Sequence, residues 1–358
     1  MNGNTKKPKY KIPSMAEIKT IEPNGYKVVS TFAGCGGSSL GYKLAGYNVL
    51  WANEFVNHAV EIYKANHKTT IVDNTDVRKV NAEDILKTLN LKKGELDLFD
   101  GSPPCMSFST AGKREKNWGK EKKYFDHHQV ADDLFFEYIR LVKGLKPKTF
   151  VAENVSGLIK GVAKGYFKIF LKGMIDAGYK VKAYLANGKY LGVPQARQRV
   201  FYIGVRNDLK LEPVFPQPQQ FVYTLKDAIW DLRNETKEPD VWQNKRPDGT
   251  PFMYAYGKEW EQLSQGQQSN KYFNVIRAAW DKPCNTILAT AARSASVCHP
   301  TENRKFTIKE LKRIFGFPDD FVFFGNYKEQ WARLGNCVPP PMIYFISKKI
   351  QQDILDRL

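Results

Sequence analysis

Between residues 27 and 206, short strand-forming stretches alternate with amphipathic helical stretches, and this alternation limits the possible folds more than any other feature of the sequence. Strands are predicted where β-branched and aromatic residues cluster, in KVVSTF, NVLWANE, LDLFD, KTFVAEN, YKVKAYLA and RVFYIGVR. Helices are predicted where apolar residues recur at helical spacing, in SSLGYKLAG, VNHAVEIYKANH, NAEDILKTL, VADDLFFEYIRLVKGL and YFKIFLKGMIDAG. A loop through Asp76 separates two of these helices. The pattern is typical of a parallel sheet covered by helices on both faces.

We therefore predict an α/β fold with a doubly wound, Rossmann-like sheet that is mixed but mostly parallel. Right-handed crossovers in such a sheet place ligands at the carboxyl ends of the strands. The Pro- and Gln-rich stretch LKLEPVFPQPQQF marks the end of this pattern. Four regions are expected: a basic extension over 1–25, the doubly wound domain over 26–206, a smaller irregular domain over 207–324, and a helical C-terminal segment over 325–358.

The chain is strongly basic. It contains 55 Lys and Arg against 37 Asp and Glu, which gives a formal net charge of +18. A charge excess of this size favours a nucleic-acid partner, although a solvated lysine-rich surface is the alternative. In the irregular region Trp230, Trp242, Trp260 and Trp280 stand among Lys, Gln and Asn residues. That mixture suits either a nucleic-acid surface or a small β-rich core.

The five cysteines predict neither a disulfide framework nor a structural zinc site. Their number is odd, and no two of them form a C-x-x-C pair. This usage fits a reducing compartment. No apolar run in the sequence reaches the roughly 18 residues of a membrane span, so we expect no membrane association of that kind.

The first predicted strand runs into a glycine-rich turn that opens a helix. Gly34, Gly36 and Gly37 permit a tight turn and a close approach of a ligand to the backbone. The spacing departs from the dinucleotide fingerprint G-x-G-x-x-G, because Ser39 stands where the third glycine is required. A turn that binds nothing remains the alternative for this loop taken alone.

Two acidic residues strengthen the prediction of a cofactor site. Glu54 lies 18 residues after Gly36, at the end of the next strand, where an acidic side chain binds ribose hydroxyls. Asp76 follows further along the chain and could reach an adenine edge. Because no phosphate-binding loop accompanies them, these residues predict an adenosine cofactor without an essential phosphate, and S-adenosyl-L-methionine is the obvious candidate.

Reactive groups follow three later strands. Cys105 stands after Pro103 and Pro104, which stiffen the loop beyond LDLFD. A lone cysteine here is more often a core residue than a nucleophile. Glu153 ends the strand KTFVAEN and is a candidate acid or base, or else a surface ion-pair partner.

Arg197 and Arg199 stand two residues apart before the last predicted strand. On an extended chain, residues two apart lie on one face, and two guanidiniums there could hold a carbonyl or a phosphate. A solvated basic turn is the alternative.

The ordered motifs resemble those of the cytosine-C5 DNA methyltransferase family, of the bacterial or phage restriction-modification type. They are FAGCGG at 32–37, NE at 53–54, PPC at 103–105, ENV at 153–155, QARQR at 195–199 and GNCVPP at 335–340. Each motif alone is weak evidence, whereas six in the family's order are very specific. The resemblance runs from about Lys27 to the C-terminal helix and leaves out the first 25 residues and most of 207–280.

The resemblance implies an S-adenosylmethionine-dependent methyltransferase fold and a role for each matching residue. Cys105 matches the nucleophile, Glu153 the residue at cytosine N3, and Arg197 and Arg199 the arginines around the base. Ser109, Asn154 and Thr286 match positions that contact DNA or the base. The implied cofactor contacts are Phe32, Ala33, Gly34, Cys35, Gly36, Gly37, Glu54, Phe55, Asp76, Val77, Pro104, Leu134, Asn336 and Val338, and no metal is implied.

The same resemblance implies a reaction and its partners. The cysteine adds to C6 of a cytosine flipped out of duplex DNA, C5 takes the methyl group, and S-adenosyl-L-homocysteine is released. The region 207–324 would recognise the target sequence, and the C-terminal segment would return to the catalytic domain. We expect a monomer in the bacterial cytoplasm or nucleoid, with a cognate restriction endonuclease as a candidate partner.

Other readings of the sequence lead to different activities. The missing third glycine argues against a dehydrogenase, and Cys105 stands where an amino-methyltransferase would carry an aromatic residue. A transfer-RNA cytosine-C5 methyltransferase shares the core motifs, but its Cys-Phe-Thr tripeptide is missing from the sequence. A DNA-binding relative without catalysis is disfavoured because the cysteine, the glutamate and both arginines are present.

Overall fold

The structure, a computed structural model, describes residues 7–104, 122–124, 127–129, 134–159, 164–235, 255–292 and 296–358. The chain forms two compact units, each built from several stretches of sequence. We call them the sheet unit, made of 20–186, 198–217 and 343–358, and the helical unit, made of 1–19, 187–197 and 218–342. In the part of the chain that the structure describes, no helix is long and apolar enough to cross a membrane.

A seven-stranded sheet forms the centre of the sheet unit, in the order β3-β2-β1-β4-β7-β9-β8. Neighbours from β3 to β7 run parallel, and β9 runs antiparallel to β7. The prediction of a doubly wound, mixed and mostly parallel sheet is therefore confirmed. The strands are β1 Lys27–Thr31, β2 Asn48–Asn53, β3 Ile71–Asp73, β4 Leu98–Gly101, β5 Lys122–Tyr124, β6 His127–Gln129, β7 Thr149–Val155, β8 Tyr179–Asn187, β9 Gln198–Arg206, β10 Ile276–Arg277 and β11 Val297–Cys298.

The helices of the first half follow the predicted order closely. Asn81 caps its helix by accepting a hydrogen bond from the Glu83 amide at 3.1 Å. The predicted loop before Asp76 instead contains β3, an edge strand too short to give a periodic signal. The helices are α1 Met15–Lys19, α2 Gly37–Leu44, α3 Asn57–Asn66, α4 Ala82–Thr88, α5 Leu134–Leu145, α6 Lys164–Asp176, α7 Leu225–Ile229, α8 Ala255–Gln262, α9 Ile308–Phe315, α10 Tyr327–Asn336 and α11 Pro340–Asp353.

Aromatic side chains fill the space between the sheet and helices α5 and α6. Tyr138 of α5 is fully buried, and its ring lies 4.9 Å from Phe99 of β4 and 6.2 Å from Phe150 of β7. Its hydroxyl donates to the main-chain carbonyls of Phe99 and Val151. Because a buried hydroxyl must find a partner, these bonds fix the position of α5 over the central strands.

The helical unit is held together by buried guanidinium groups as well as by apolar contacts. Arg277 donates to the main-chain carbonyls of Leu263, Trp260 and His299. Arg304 is fully buried and forms an ion pair at 2.8 Å with Glu310 of α9. Fixed, fork-shaped donors of this kind suit a region in which short helices and turns leave many carbonyls to satisfy.

The C-terminal helix α11 carries the chain from the helical unit into the sheet unit. Its buried apolar face includes Ile343, Ile346 and Ile350. The Tyr47 hydroxyl donates to the Ser347 carbonyl at 2.8 Å, across 300 positions of sequence. Residues 343–358 are thus part of the same compact unit as the sheet.

Candidate active site

The carboxyl end of β1 forms a turn with an unusual backbone. Phe32 has a φ of +52°, Gly34 of +55° and Gly36 of +90°, so the chain enters the left-handed region three times before α2 begins. Left-handed backbone is costly for a residue with a side chain, and Phe32 adopts it all the same. Such conformations concentrate at ligand sites, where the surrounding structure holds them.

Gly34 and Gly36 differ in what a side chain at each position would contact. Among the described residues, a Cβ added at Gly34 would meet no atom within 4 Å, so this glycine faces open space in that part of the structure. A Cβ at Gly36 would lie 2.2 Å from Nε2 of His67, which is 1% exposed. Gly36 is therefore required by the packing of α3 beneath the loop, whereas Gly34 leaves room for a ligand.

Glu54 is held beside the open space at Gly34. Its Oε2 accepts a hydrogen bond from the Gly34 amide at 2.8 Å, and its Oε1 accepts one from the Val56 amide at 2.8 Å. An ionised carboxylate accepts hydrogen bonds at both of its oxygens, and here both oxygens orient the side chain. The geometry thus fixes the Glu54 carboxylate beside Gly34.

Asp76 is half-buried and oriented by a neighbour. Its Oδ1 accepts from the Arg78 amide at 3.0 Å, and the Arg78 guanidinium forms an ion pair with it at 3.1 Å. The aspartate caps the short 3₁₀ turn that starts at Val77. Its side chain is accordingly positioned, although part of its hydrogen-bonding capacity is used within the turn.

The other predicted cofactor positions divide by exposure. Some side chains are buried and would reach a ligand only through the backbone or a small surface, namely those of Ala33, Cys35, Val77 and Leu134. Others are half-buried and open to solvent, namely those of Phe32, Phe55 and Pro104. Asn336, which is exposed, and Val338, which is buried, belong to the helical unit.

Glu153 and Arg199 form the best-defined polar pair at the carboxyl end of β7. Arg199 Nε lies 2.8 Å from Glu153 Oε1, and both side chains are largely buried. Antiparallel pairing of β7 with β9 brings them together, because Val155 faces Arg199 and Glu153 faces Phe201. Burial lowers the pKa of the Arg199 guanidinium, and the Glu153 carboxylate opposes that shift.

Asn154 supports the turn that follows β4. Its side-chain amide donates to the Pro103 carbonyl at 2.9 Å, and its Oδ1 accepts from the Val155 amide at 2.8 Å. These bonds connect the carboxyl ends of β4 and β7 at the first residue of the Pro-Pro-Cys motif. Cys105 and Ser109 themselves lie outside the described residues.

Arg197 has a setting quite different from that of Arg199. It is 1% exposed and belongs to the helical unit, whereas Arg199 belongs to the sheet unit. Its guanidinium donates to the carbonyls of Ile287 at 3.0 Å, Gly335 at 2.7 Å and Cys337 at 3.2 Å. It thereby holds the GNCVPP motif and the segment after Thr286, a role that two-residue spacing did not indicate.

Thr286 lies in the same part of the helical unit. Its hydroxyl donates to the Ala196 carbonyl at 2.8 Å, and it lines a small cleft together with Asn274, Ile276 and Ser296. The polar atoms of this cleft are compatible with the predicted DNA contact, which stays a prediction.

Sequence reasoning missed two buried residues near the predicted site. Asp100 of β4 is 2% exposed and accepts hydrogen bonds from Ser30 at 2.7 Å and Tyr42 at 3.0 Å. Burial raises the pKa of its carboxyl to about 7. The Nε2–H of His67 donates a hydrogen bond to the Gly36 carbonyl at 3.1 Å. A charged residue inside the apolar stretch LDLFD was the available signal for Asp100; nothing local marked His67.

The residues present fit an adenosine cofactor. The open space at Gly34, the oriented Glu54 carboxylate and the positioned Asp76 offer acceptors for hydroxyl and amine donors. Among the described residues, no group of three or more His, Cys, Asp or Glu side chains could hold a metal ion.

The sequence matches the family model for C-5 cytosine-specific DNA methylase over residues 26–352. It is 33% identical to the Type II methyltransferase M.NgoPII of Neisseria gonorrhoeae, over 92% of this chain and 97% of that protein. It is 32% identical to the Type II methyltransferase M.FnuDI of Fusobacterium nucleatum, over 92% of this chain and 96% of that protein.

Solved structures show the same fold at lower identity. A DNA modification methyltransferase encoded within an E. coli prophage superposes with a TM-score of 0.72 and 24% identity, over 93% of this chain and all of that one. A mutant of Spodoptera frugiperda DNMT2 superposes with a TM-score of 0.66 and 17% identity, over 92% of this chain and all of that one.

Proposed function

The chain belongs to the C-5 cytosine-specific DNA methylase family, and from this premise we propose how its own residues carry out the reaction. The protein is a DNA (cytosine-5)-methyltransferase, and the family's methyl donor is S-adenosylmethionine. The assignment of roles rests on the Glu153–Arg199 ion pair at the end of β7, beside Asn154, whose amide donates to the carbonyl of the first proline of the Pro-Pro-Cys motif.

Cofactor binding is assigned to the edge of the sheet formed by β1, β2 and the turn at Asp76. Glu54, held by two backbone amides, would accept hydrogen bonds from the ribose hydroxyls, and Gly34 would allow the cofactor to approach the main chain. When bound, the cofactor supplies an electrophilic methyl group on a sulfonium. Phe32, Phe55 and Pro104, which are half-buried, would form the apolar surface of this site.

Cys105 is the proposed nucleophile. Its thiolate forms a bond to C6 of cytosine, and the electrons of the C5–C6 double bond become available at C5 for the methyl group. Removal of the C5 proton and departure of the thiolate then restore the ring. Pro103, Pro104 and the bond from Asn154 to the Pro103 carbonyl would stiffen the approach to this residue, which favours a fixed attack geometry.

Glu153 and Arg199 are proposed to stabilise the charge that attack at C6 creates on the O2–C2–N3 part of the ring. The glutamate, protonated or sharing a proton, would supply that proton to N3, and the guanidinium, already held by the glutamate at 2.8 Å, would lie beside O2. Hydrogen-bond donors whose positions are fixed before the reaction need little reorganisation during it. Such donors therefore stabilise a developing anion effectively. For Arg197, buried among carbonyls, we propose the supporting role of fixing the GNCVPP motif.

We further propose duplex DNA as the substrate, with the target cytosine flipped from the stack. The net charge of +18 would favour phosphate contacts, to which Ser109 and Thr286 are assigned. The protein would act as a monomer in the bacterial cytoplasm, beside a cognate restriction endonuclease. The Type II names of its relatives support this last proposal.

Trapping on modified DNA tests the nucleophile. Duplexes in which 5-fluorocytosine replaces cytosine should form a covalent complex that survives denaturing electrophoresis, because fluorine cannot leave as a proton does. Cys105→Ala should form none, and an adduct in that variant would refute the assignment. Glu153→Gln should slow methyl transfer by a factor of about 100 or more; full activity at neutral pH would refute the role at N3.

A further inference from the structure

We propose that an exposed group of cations around two tryptophans is a second surface for DNA, which contacts phosphates outside the reaction site. We call it the basic aromatic face and define it as Lys226, Trp230, Arg233, Trp280 and Lys282, all in the helical unit. The inference rests on the proposed function, since it takes duplex DNA to be the substrate.

The first three residues of the face lie in and directly after α7. Lys226 belongs to α7, and Trp230 and Arg233 belong to the 3₁₀ turn Trp230–Asn234 that follows it. The Lys226 ammonium lies 5.1 Å and the Arg233 guanidinium 4.5 Å from the centre of the Trp230 ring. The ring therefore anchors both cations by cation–π contact, while all three residues remain exposed.

A second chain segment completes the face. The rings of Trp280 and Trp230 meet edge to face at 5.1 Å. The Trp280 carbonyl accepts from the Lys226 amide at 3.0 Å, and the Lys282 carbonyl accepts from the Leu225 amide at 2.9 Å. These main-chain bonds fix Lys282 next to the helix, so the cations are arranged before any ligand arrives.

In the part of the chain that the structure describes, Lys226 and Lys282 form no ion pair with a carboxylate. Asp281, between Trp280 and Lys282 in the sequence, is exposed. The three cations of the face thus outnumber this adjacent carboxylate, a local excess suited to a polyanion.

Three further acidic residues, within 225–235, form ion pairs outside the face. Each forms an ion pair at 2.7 Å with a basic residue that is not part of the face. The pairs are Asp227 with Lys7, Asp231 with Arg313, and Glu235 with Lys309. These three carboxylates are therefore neutralised by basic residues outside the face, and the positive charge of the face remains in excess.

The partner that fits this arrangement is the phosphate backbone of a duplex. The two cations already lie against Trp230, so the ring is less available for base stacking than an open aromatic would be. Exposed ammonium groups on a fixed surface match phosphate oxygens and carry no sequence information. The face would therefore strengthen binding to flanking DNA without altering which cytosine is methylated.

The salt dependence of DNA binding tests this proposal. In the full-length protein, Lys226→Ala combined with Lys282→Ala should flatten the plot of log affinity against log salt by about two, because each phosphate contact contributes roughly 0.9. The matched control is Lys180→Ala combined with Lys182→Ala, which removes the same charge. Those lysines pair with Glu212 of the sheet unit at 2.8 and 3.4 Å, so the slope should stay unchanged.

Two further readouts separate this inference from the proposed function. Methyl transfer from S-adenosylmethionine to saturating duplex DNA tests the function, and the Lys226/Lys282 variant should retain it in the same sequence context. Equal salt slopes for the two double variants would overturn the basic aromatic face while leaving the function intact. A loss of affinity confined to single-stranded DNA or RNA would also overturn it.

Discussion

At the scale of single residues, Asp100 shows how a buried carboxyl responds to its surroundings. It lies on β4 in register with Ser30 of β1 and Val151 of β7, and Glu153 follows Val151 on the same face of the sheet. Burial raises the pKa of Asp100 to about 7, the negative charge of Glu153 adds to that rise, and the hydrogen bonds from Ser30 and Tyr42 oppose it. The carboxyl therefore keeps its proton in the folded protein at a pH where an unfolded chain has lost it.

This shift predicts a pH-dependent stability. Between pH 4 and 7 the folded state binds a proton at Asp100 that the unfolded state does not, so the contribution of this group to the free energy of unfolding should fall by roughly 1 kcal/mol per pH unit as pH rises. Asp100→Asn removes this loss, and the stability of the variant relative to the wild type should increase across the same window. Urea unfolding at several pH values measures the difference in stability, and a pH-independent difference would contradict the prediction.

The arginines show a second effect at this scale. Arg197 and Arg199 are two residues apart, yet the first is held by three main-chain carbonyls of the helical unit and the second by Glu153 of the sheet unit. Sequence spacing places side chains on a common face only where the chain remains extended, and β9 begins at Gln198. Arg199 lies inside β9 and Arg197 precedes it, so the spacing rule does not apply to this pair.

At the scale of elements, the contact between helices α2 and α3 determines the shape of the glycine turn. Tyr63 and His67 stand at the end of α3, and their rings lie 4.5 Å apart. The Tyr63 hydroxyl donates to Ser39 of α2 at 2.7 Å. The end of one helix thus supports the start of the other, directly beneath the turn that is assigned to the cofactor.

Two alanine substitutions should separate support from ligand binding. Gly36→Ala brings a Cβ against His67 in addition to left-handed strain, and should cost about 3–4 kcal/mol of unfolding free energy. Gly34→Ala meets open space, so strain alone should cost about 1–2 kcal/mol. Chemical denaturation measures both, and calorimetry should show weakened S-adenosylmethionine binding by Gly34→Ala.

A double variant provides the control for the clash. His67→Ala should recover part of the stability lost in Gly36→Ala, because the two changes act on one contact. Strictly additive losses would mean that His67 is not what excludes a side chain at position 36.

At the scale of the whole molecule, distant parts of the chain complete the sheet unit. Tyr26 and Asp356, 330 positions apart, share a hydrogen bond at 2.8 Å, and Asn24 donates to Gln351. The chain leaves the sheet unit after residue 186, returns to it at 198, leaves again after 217 and returns at 343. The final helix is therefore a structural part of the catalytic fold.

This connection predicts a large effect of a small change near the C-terminus. Ile350 is fully buried, and Ile350→Ala should lower the free energy of unfolding by about 2–5 kcal/mol through the cavity it leaves. Ile175 is 56% exposed, and Ile175→Ala should cost less than about 1 kcal/mol. Thermal unfolding followed by circular dichroism compares them, and equal costs would show that α11 contributes little to the sheet unit.

Structural features that depend on neighbours along the chain could be predicted from the sequence alone. The alternation of strands and helices indicated the doubly wound sheet, because the periods of strand and helix are read within a few residues. The order of the six motifs indicated the family. The helix caps at Ser14, Glu17 and Asn81 are local in the same way, because each is made by hydrogen bonds between residues two or three positions apart.

Which side chains are in contact depends on the tertiary structure and could not be predicted from the sequence. The different settings of Arg197 and Arg199, the support of Gly36 by His67 and the burial of Asp100 arise from contacts between separate elements. The edge strand β3 and the grouping of cations around Trp230 and Trp280 were likewise not readable from local pattern. The physical reason is that burial and pairing depend on residues tens to hundreds of positions apart, whose proximity no local period specifies.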